Sequence, residues 1–217
     1  MDKQIVSKER IQSIGEEIAN SVSHGVGFIA AVVIASILIF SAAKQGRAAG
    51  IVGASIFSFS LVMLYIVSTL YHSLARNKAK QVFQILDHIV IFLMIAGTYT
   101  PFTLSVLKGS LGWTLFGIVW GLAFVGIIFQ CFGGVKKKKL TTILYLAMGW
   151  LIIIALKPLL SNMPLWGLFW LLVGGLAYTA GVGFYAAKKV RYAHFVWHLF
   201  VILGSSCHSI AVLRYAV

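Results

Sequence analysis

The sequence predicts an all-α membrane protein, a single bundle of seven transmembrane helices, and three observations predict it. Hydrophobic residues make up 60% of the 217, against roughly 45–50% in ordinary soluble domains, and the mean hydropathy is +0.95. Seven apolar runs approach the roughly 20 residues that a helix needs to cross hydrocarbon. The connectors between them are short, which leaves no room for an inserted soluble domain and makes residues 1–217 one domain.

Residues 1–24, MDKQIVSKERIQSIGEEIANSVSH, form a polar, amphipathic lead-in. It lacks the short charged start and immediate apolar core of a cleaved signal, so the first apolar run reads as a signal anchor. The runs are 25–43, 50–72, 87–106, 111–132, 141–157, 165–187 and 193–214. The first ends at KQGRAA. The second ends at His72 and is followed by SLARNKAKQVFQIL. The third opens on Asp87 and His88 and carries Pro101, whose missing backbone donor predicts a kink. The fourth holds Gly117 and Gly121 as a GxxxG, expected to let helices approach closely. The fifth is the shortest and ends softly at Lys157 and Pro158. The sixth carries Gly174, Gly175, Gly181 and Gly183 as further packing positions, and the seventh follows KKVRY.

Lysine and arginine total 18 against five acidic residues, a net charge of +13. The basic residues fall in short clusters between apolar runs, with no stripe of cations and stacking aromatics, which argues against a nucleic-acid partner. With the N-terminus placed in the cytoplasm, Lys3, Lys8, Arg10, Arg76, Lys78, Lys80, Lys136 to Lys139, Lys188, Lys189 and Arg191 are inside, which is 13. Lys44, Arg47, Lys108, Lys157 and Arg214, which is 5, are outside. The positive-inside rule therefore selects a cytoplasmic N-terminus and an outer C-terminus. Cys131 and Cys207 stand alone in apolar segments, without zinc-ribbon or redox spacing.

Of the five acidic residues, Asp2, Glu9, Glu16 and Glu17 precede the first apolar run, so Asp87 is the one carboxylate within the apolar part. On this topology His72, Asp87, His88, His194, His198 and His24 share one depth, and His208 lies toward the other face. Ionisable groups in membrane segments are costly and face a bundle interior or a wet cavity. Taken singly, each histidine reads as an interfacial amphipath. Taken together, His72, His194 and His198 can supply three nitrogen ligands, with Asp87 on a fourth, water ligand, which is the pattern of a catalytic zinc. Ser68, four before His72, shares its helix face and has two readings: a bond to its own helix backbone, or a hydrogen bond to the water or a substrate carbonyl. His88 points about 100° from Asp87 and reads as packing or interfacial. Glu17, Asn20 and His24 share one helical face, either the polar side of a lead-in helix or a clasp to neighbouring loops.

Glu17-x-x-Asn20-x-x-x-His24, Ser68-x-x-x-His72 with Asp87 beyond it, and His194-x-x-x-His198 resemble the three motifs of the progestin and adipoQ receptor family. The short N-terminus and small loops look like its bacterial branch, the hemolysin III family. The resemblance covers the chain from Glu17 to Val217. It implies a seven-helix bundle in a bacterial cell membrane, with zinc held by His72, His194 and His198, Asp87 contacting it through water, and Ser68 as the motif serine. It leaves Glu17, Asn20 and His24 as structural. The wider group of membrane hydrolases to which the family is similar includes alkaline ceramidases, and so implies hydrolysis of a lipid amide or ester, with membrane lipids as partners. The hemolysin name implies lysis instead, and a non-enzymatic, receptor-like protein with a structural zinc site is a further expectation.

Overall fold

The structure, a computed structural model, describes residues 10–107, 109–133 and 137–217. Asp2, Lys3, Lys8, Glu9, Lys108 and Lys136, which entered the charge reading, lie outside the described residues. Among the described residues, seven helical spans are long and apolar enough to cross a membrane. Among the described residues there is no strand.

Helix α1 (Ile14–Gln45) begins at a capping box: the Glu16 amide donates to Ser13 Oγ at 3.3 Å and the Ser13 amide donates to the Glu16 carboxylate at 2.9 Å. The box satisfies two of the amides that a helix start otherwise leaves without partners. The helix ends at Gly46, whose φ of 70° suits a residue without Cβ. Helix α2 (Ala48–Ser73) follows at once, and α3 (Lys78–Pro101) starts where Asn77 Oδ1 accepts the Lys80 amide at 3.0 Å. The third span continues as a π-helical segment (Phe102–Leu107), so Pro101 widens the helix where a kink was expected. Proline lacks the donor for the preceding turn and displaces its carbonyl, and a wider turn accommodates both.

Helix α4 (Gly109–Cys131) forms span four. Span five consists of α5 (Lys138–Trp150), a 3-10 segment (Leu151–Ala155) and α6 (Leu156–Asn162). Helices α7 (Leu165–Ala186) and α8 (Ala193–Tyr215) complete the set. The break in span five is held by Tyr99 of α3. Its hydroxyl donates toward the Met148 and Gly149 carbonyls, 2.9 Å from each, and accepts the Ile152 amide at 2.8 Å. Backbone groups freed in a membrane interior need such a partner.

Three span boundaries differ most from those expected of the sequence. Span one starts at residue 14 rather than 25, so the lead-in is continuous with it, and span three starts at 78 rather than 87. Capping signals start a helix in the polar zone, whereas hydropathy registers only its apolar stretch. Span five runs on to Asn162, past the soft end expected at Lys157 and Pro158.

Helix α1 packs on α2 and α8, α2 on α3, α3 on α4, and α7 on α8. Within their most apolar stretches, 50% to 61% of α2, span three and α8 is buried, against 17% to 28% of the other spans, so those three form the inner layer. Phe57, Phe92 and Phe102 fill its centre. The GxxxG of α4 does not pack within the chain: Gly117 and Gly121 face open space. The close approaches come from Gly112 and Gly126 instead, where a Cβ would stand 2.3 Å from the Thr103 carbonyl oxygen and 2.3 Å from Phe92 Cε1. In α7, Gly174 and Gly181 meet α8 side chains, while Gly175 and Gly183 are open.

Candidate metal centre

Short connectors make successive spans antiparallel. The start of α1, α3, α5 and α8 and the end of α2 and α7 therefore share one end of the bundle. There His72, on the last turn of α2, meets His194 and His198, one turn apart at the start of α8. A ligand atom from each ring lies within 4.8 Å of the other two. His72 and His198 are buried and His194 is partly so.

The partners of two of the rings fix which nitrogen keeps its lone pair. His72 Nδ1 lies 2.7 Å from Glu17 Oε2. A carboxylate accepts only, so Nδ1 carries the proton and Nε2 keeps its lone pair. Asn20 Nδ2 is 3.5 Å from the same nitrogen, but an amide donor cannot pair with N–H, and the shorter contact decides. His198 Nδ1 lies 3.2 Å from the Asn20 carbonyl and 3.2 Å from Ser23 Oγ, and donating to the carbonyl again leaves Nε2 as the lone-pair nitrogen. The Nε2 atoms of His72 and His194 are buried with no hydrogen-bond partner. Buried polar atoms are ordinarily paired, and two orphans of the same kind side by side have the chemistry of a ligand set. Three neutral imidazoles suit a borderline divalent ion such as zinc, copper, iron or nickel. The residues present thus fit a metal, and the carboxylate and carbonyl behind the rings are the usual outer partners of metal-binding histidines.

The triad opens on a cavity of about 140 Å³ that is also lined by Ser68, Asp87 and His88. Ser68 is buried and Asp87 partly buried. The Asp87 carboxylate stands outside the group of three, so it is a neighbour of the triad within one cavity. His88 is more than packing: its ring bridges the Gln84 carbonyl, 2.7 Å from Nδ1, and the Tyr185 hydroxyl, 3.3 Å from Nε2, on the cavity wall. His208 is buried against Tyr178 on α7, away from the cavity, with Nε2 3.3 Å from the Leu171 carbonyl.

Glu17, Asn20 and His24 form a clasp, but onto helices rather than the neighbouring loops, and it closes on the histidines themselves. Glu17 also accepts from Lys80 Nζ at 2.9 Å. His24 lies flat on His198, with ring centroids 3.5 Å apart and planes 12° apart, and meets Tyr65 edge-on. Ser23 was not singled out in the sequence, although its spacing of three from Asn20 places it on the same face.

Comparisons with known proteins give the family of the chain. The family model described as Haemolysin-III related matches residues 12–209. The chain is 45% identical to "Hemolysin-3" of Bacillus cereus over 206 residues, covering 95% of this chain and 94% of that one. It is 45% identical to the "Hemolysin-3 homolog" of Bacillus subtilis (strain 168) over 205 residues, covering 94% and 96%. It is 30% identical to the "Monocyte to macrophage differentiation factor" of Homo sapiens over 166 residues, covering 74% and 68%. No solved structure matches. With seven membrane-spanning helices and bacterial relatives along nearly its whole length, the chain is a multi-pass bacterial membrane protein that belongs to the hemolysin III family.

Proposed function

We propose that this protein is a zinc-dependent hydrolase of lipid amide or ester bonds, working at the cytoplasmic end of the bundle. One observation carries the reading. The paired orphan nitrogens of His72 and His194 sit beside a cavity that also holds a carboxylate and a buried hydroxyl. A structural site closes on four protein ligands, whereas a catalytic site keeps a position open. His72, His194 and His198 would hold the ion, with Glu17 and the Asn20 carbonyl steadying two of the rings. When bound, zinc would supply an acidified water at neutral pH and a Lewis acid for a carbonyl. Asp87 would orient the attacking water and take its proton. Ser68 would donate a hydrogen bond to the carbonyl oxygen as charge develops there. Leu64, Ile91, Trp197 and Val201, on the same cavity wall, would take the first methylenes of an acyl chain and exclude bulk water. Placement at the cytoplasmic end follows from the positive-inside count.

The name of the Bacillus cereus relative speaks of haemolysis. A lytic pore has no need of a buried histidine triad backed by its own acceptors, so hydrolysis is the reading preferred. The experiment is to measure metal in the purified protein and in His198→Ala and Asp87→Asn, then fatty-acid release from a panel of lipid amides and esters. Expected are zinc in the wild type, none in His198→Ala, and zinc without turnover in Asp87→Asn. A wild type without metal refutes the site. Zinc present with no turnover on any lipid favours a structural clamp between α2 and α8.

A further inference from the structure

We propose that Glu16, outside the three motifs, is a positioning residue: it holds the turn at Tyr192 from which α8 presents His194 and His198. Tyr192 is the one non-glycine residue among those described with positive φ, at 59°. The left-handed region is disfavoured for a residue with a Cβ, and where it persists the surroundings must hold it. Tyr192 is also the N-cap of α8 and its side chain makes no capping bond. The cap comes from a different helix. The Glu16 carboxylate, 3% exposed, accepts the Tyr192 amide at 2.9 Å. It also accepts the Ser13 amide at 2.9 Å, Ser13 Oγ at 3.0 Å and both terminal nitrogens of Arg10, one of them at 2.8 Å. Arg10 reaches on to the Val190 carbonyl at 3.5 Å. A buried carboxylate at a helix start also complements the helix dipole. His194 lies two residues beyond the turn and His198 one helical turn further. Both ride on the same rigid element, so a shift in its first turn moves both nitrogens together, and a site of this kind tolerates about 0.5 Å.

The consequence for metal rests on the metal reading above, whereas the latch itself does not, and the test separates them. Full-length protein is compared with Glu16→Ala, Glu16→Gln, Ser13→Ala, Tyr192→Gly and the pairs Glu16→Ala/Tyr192→Gly and Glu16→Gln/Tyr192→Gly. The first readout is amide hydrogen exchange over residues 192–198 in metal-free protein. The second is the half-life of bound zinc against excess chelator. Glu16→Ala is expected to speed exchange there and to shorten zinc retention about tenfold, the lower end of what lost outer partners cost. Glu16→Gln keeps one acceptor for the Tyr192 amide and falls between. Ser13→Ala removes one of the donors that hold Glu16 but leaves the Tyr192 contact, so both readouts move less than in Glu16→Ala. Glycine is at ease in the left-handed turn, so Tyr192→Gly added to either Glu16 variant restores retention, which a general loss of stability would not allow. If Glu16→Ala does not fold, Glu16→Gln and its glycine pair carry the comparison. Unchanged exchange and retention in the Glu16 variants, or no recovery on adding glycine, overturns the proposal. A wild type that binds no zinc overturns the metal reading alone, and hydrogen exchange still decides the latch.

Discussion

Replacing Glu17 with alanine tests how much of the proposed metal affinity resides behind the histidine triad. Glu17 Oε2 takes the His72 Nδ1 proton at 2.7 Å and Oε1 takes Lys80 Nζ at 2.9 Å, with the side chain 21% exposed. Asn20 Nδ2, 3.5 Å from that nitrogen, is itself a donor and cannot take over. The His72 ring would lose both its orientation and the basicity that an accepting carboxylate gives its Nε2. Lost outer partners cost 10- to 100-fold in metal affinity, or about 1.4–2.7 kcal/mol. Water can reach an exposed fifth of this side chain and replace part of the bond. The expected loss is therefore at the low end, about 1.5 kcal/mol or slightly over tenfold. Lys80→Ala leaves Oε2 on His72 and removes one partly exposed ion pair, so its effect should stay below about 1 kcal/mol. Zinc affinity is measured in detergent by competition with a chromophoric chelator. Equal affinity in Glu17→Ala and wild type, or a larger loss in Lys80→Ala, would refute the reasoning.

Tyr99→Phe leaves the Ile152 amide and the Met148 and Gly149 carbonyls without their shared hydroxyl inside span five. It should destabilise the folded state by about 1–3 kcal/mol, read as a lower unfolding midpoint in detergent, and a neutral variant would show that water reaches the break. Gly126→Ala forces a methyl against the Phe92 ring and should cost about 1–3 kcal/mol. Gly117→Ala meets nothing within 4 Å and should be silent in the same assay; equal effects in the two would contradict the packing described. Removing bound metal should lower the thermal midpoint of the wild type, since an ion at a hundred times its dissociation constant stabilises by about 2.7 kcal/mol. His198→Ala should show no such metal dependence, and a midpoint that responds to zinc equally in both would place the binding elsewhere.

Much of the site is legible because membrane topology converts sequence into depth. Once the number of spans is known, His72 at the end of one and His194 and His198 at the start of another stand at one level without tertiary information. The spacing of four sets the second pair on one helix face. What depth cannot supply is rotation about each helix axis. Glu17, Asn20 and Ser23 have the same periodicity whether they face lipid headgroups or histidines, and only the packing of α1 against α2 and α8 turns them inward. The GxxxG of α4 fails for the same reason. The pattern says that a close approach is possible, and the rotation of α4 gives that approach to Gly112 and Gly126 instead.

Apolar length, the polar punctuation between runs and residue types scarce in lipid therefore determined, by sequence alone, the seven spans, their order and the residues of the triad. These follow from the cost of placing charges and unpaired backbone in hydrocarbon, a cost that acts on each residue locally. Only the tertiary structure decided which nitrogen of His72 and of His198 keeps its lone pair, that Tyr99 repairs the break in span five, and that Glu16 reaches across to a left-handed Tyr192. Each of those depends on a contact between helices distant in the chain, and no local rule of hydropathy or period encodes the rotation that brings such partners together.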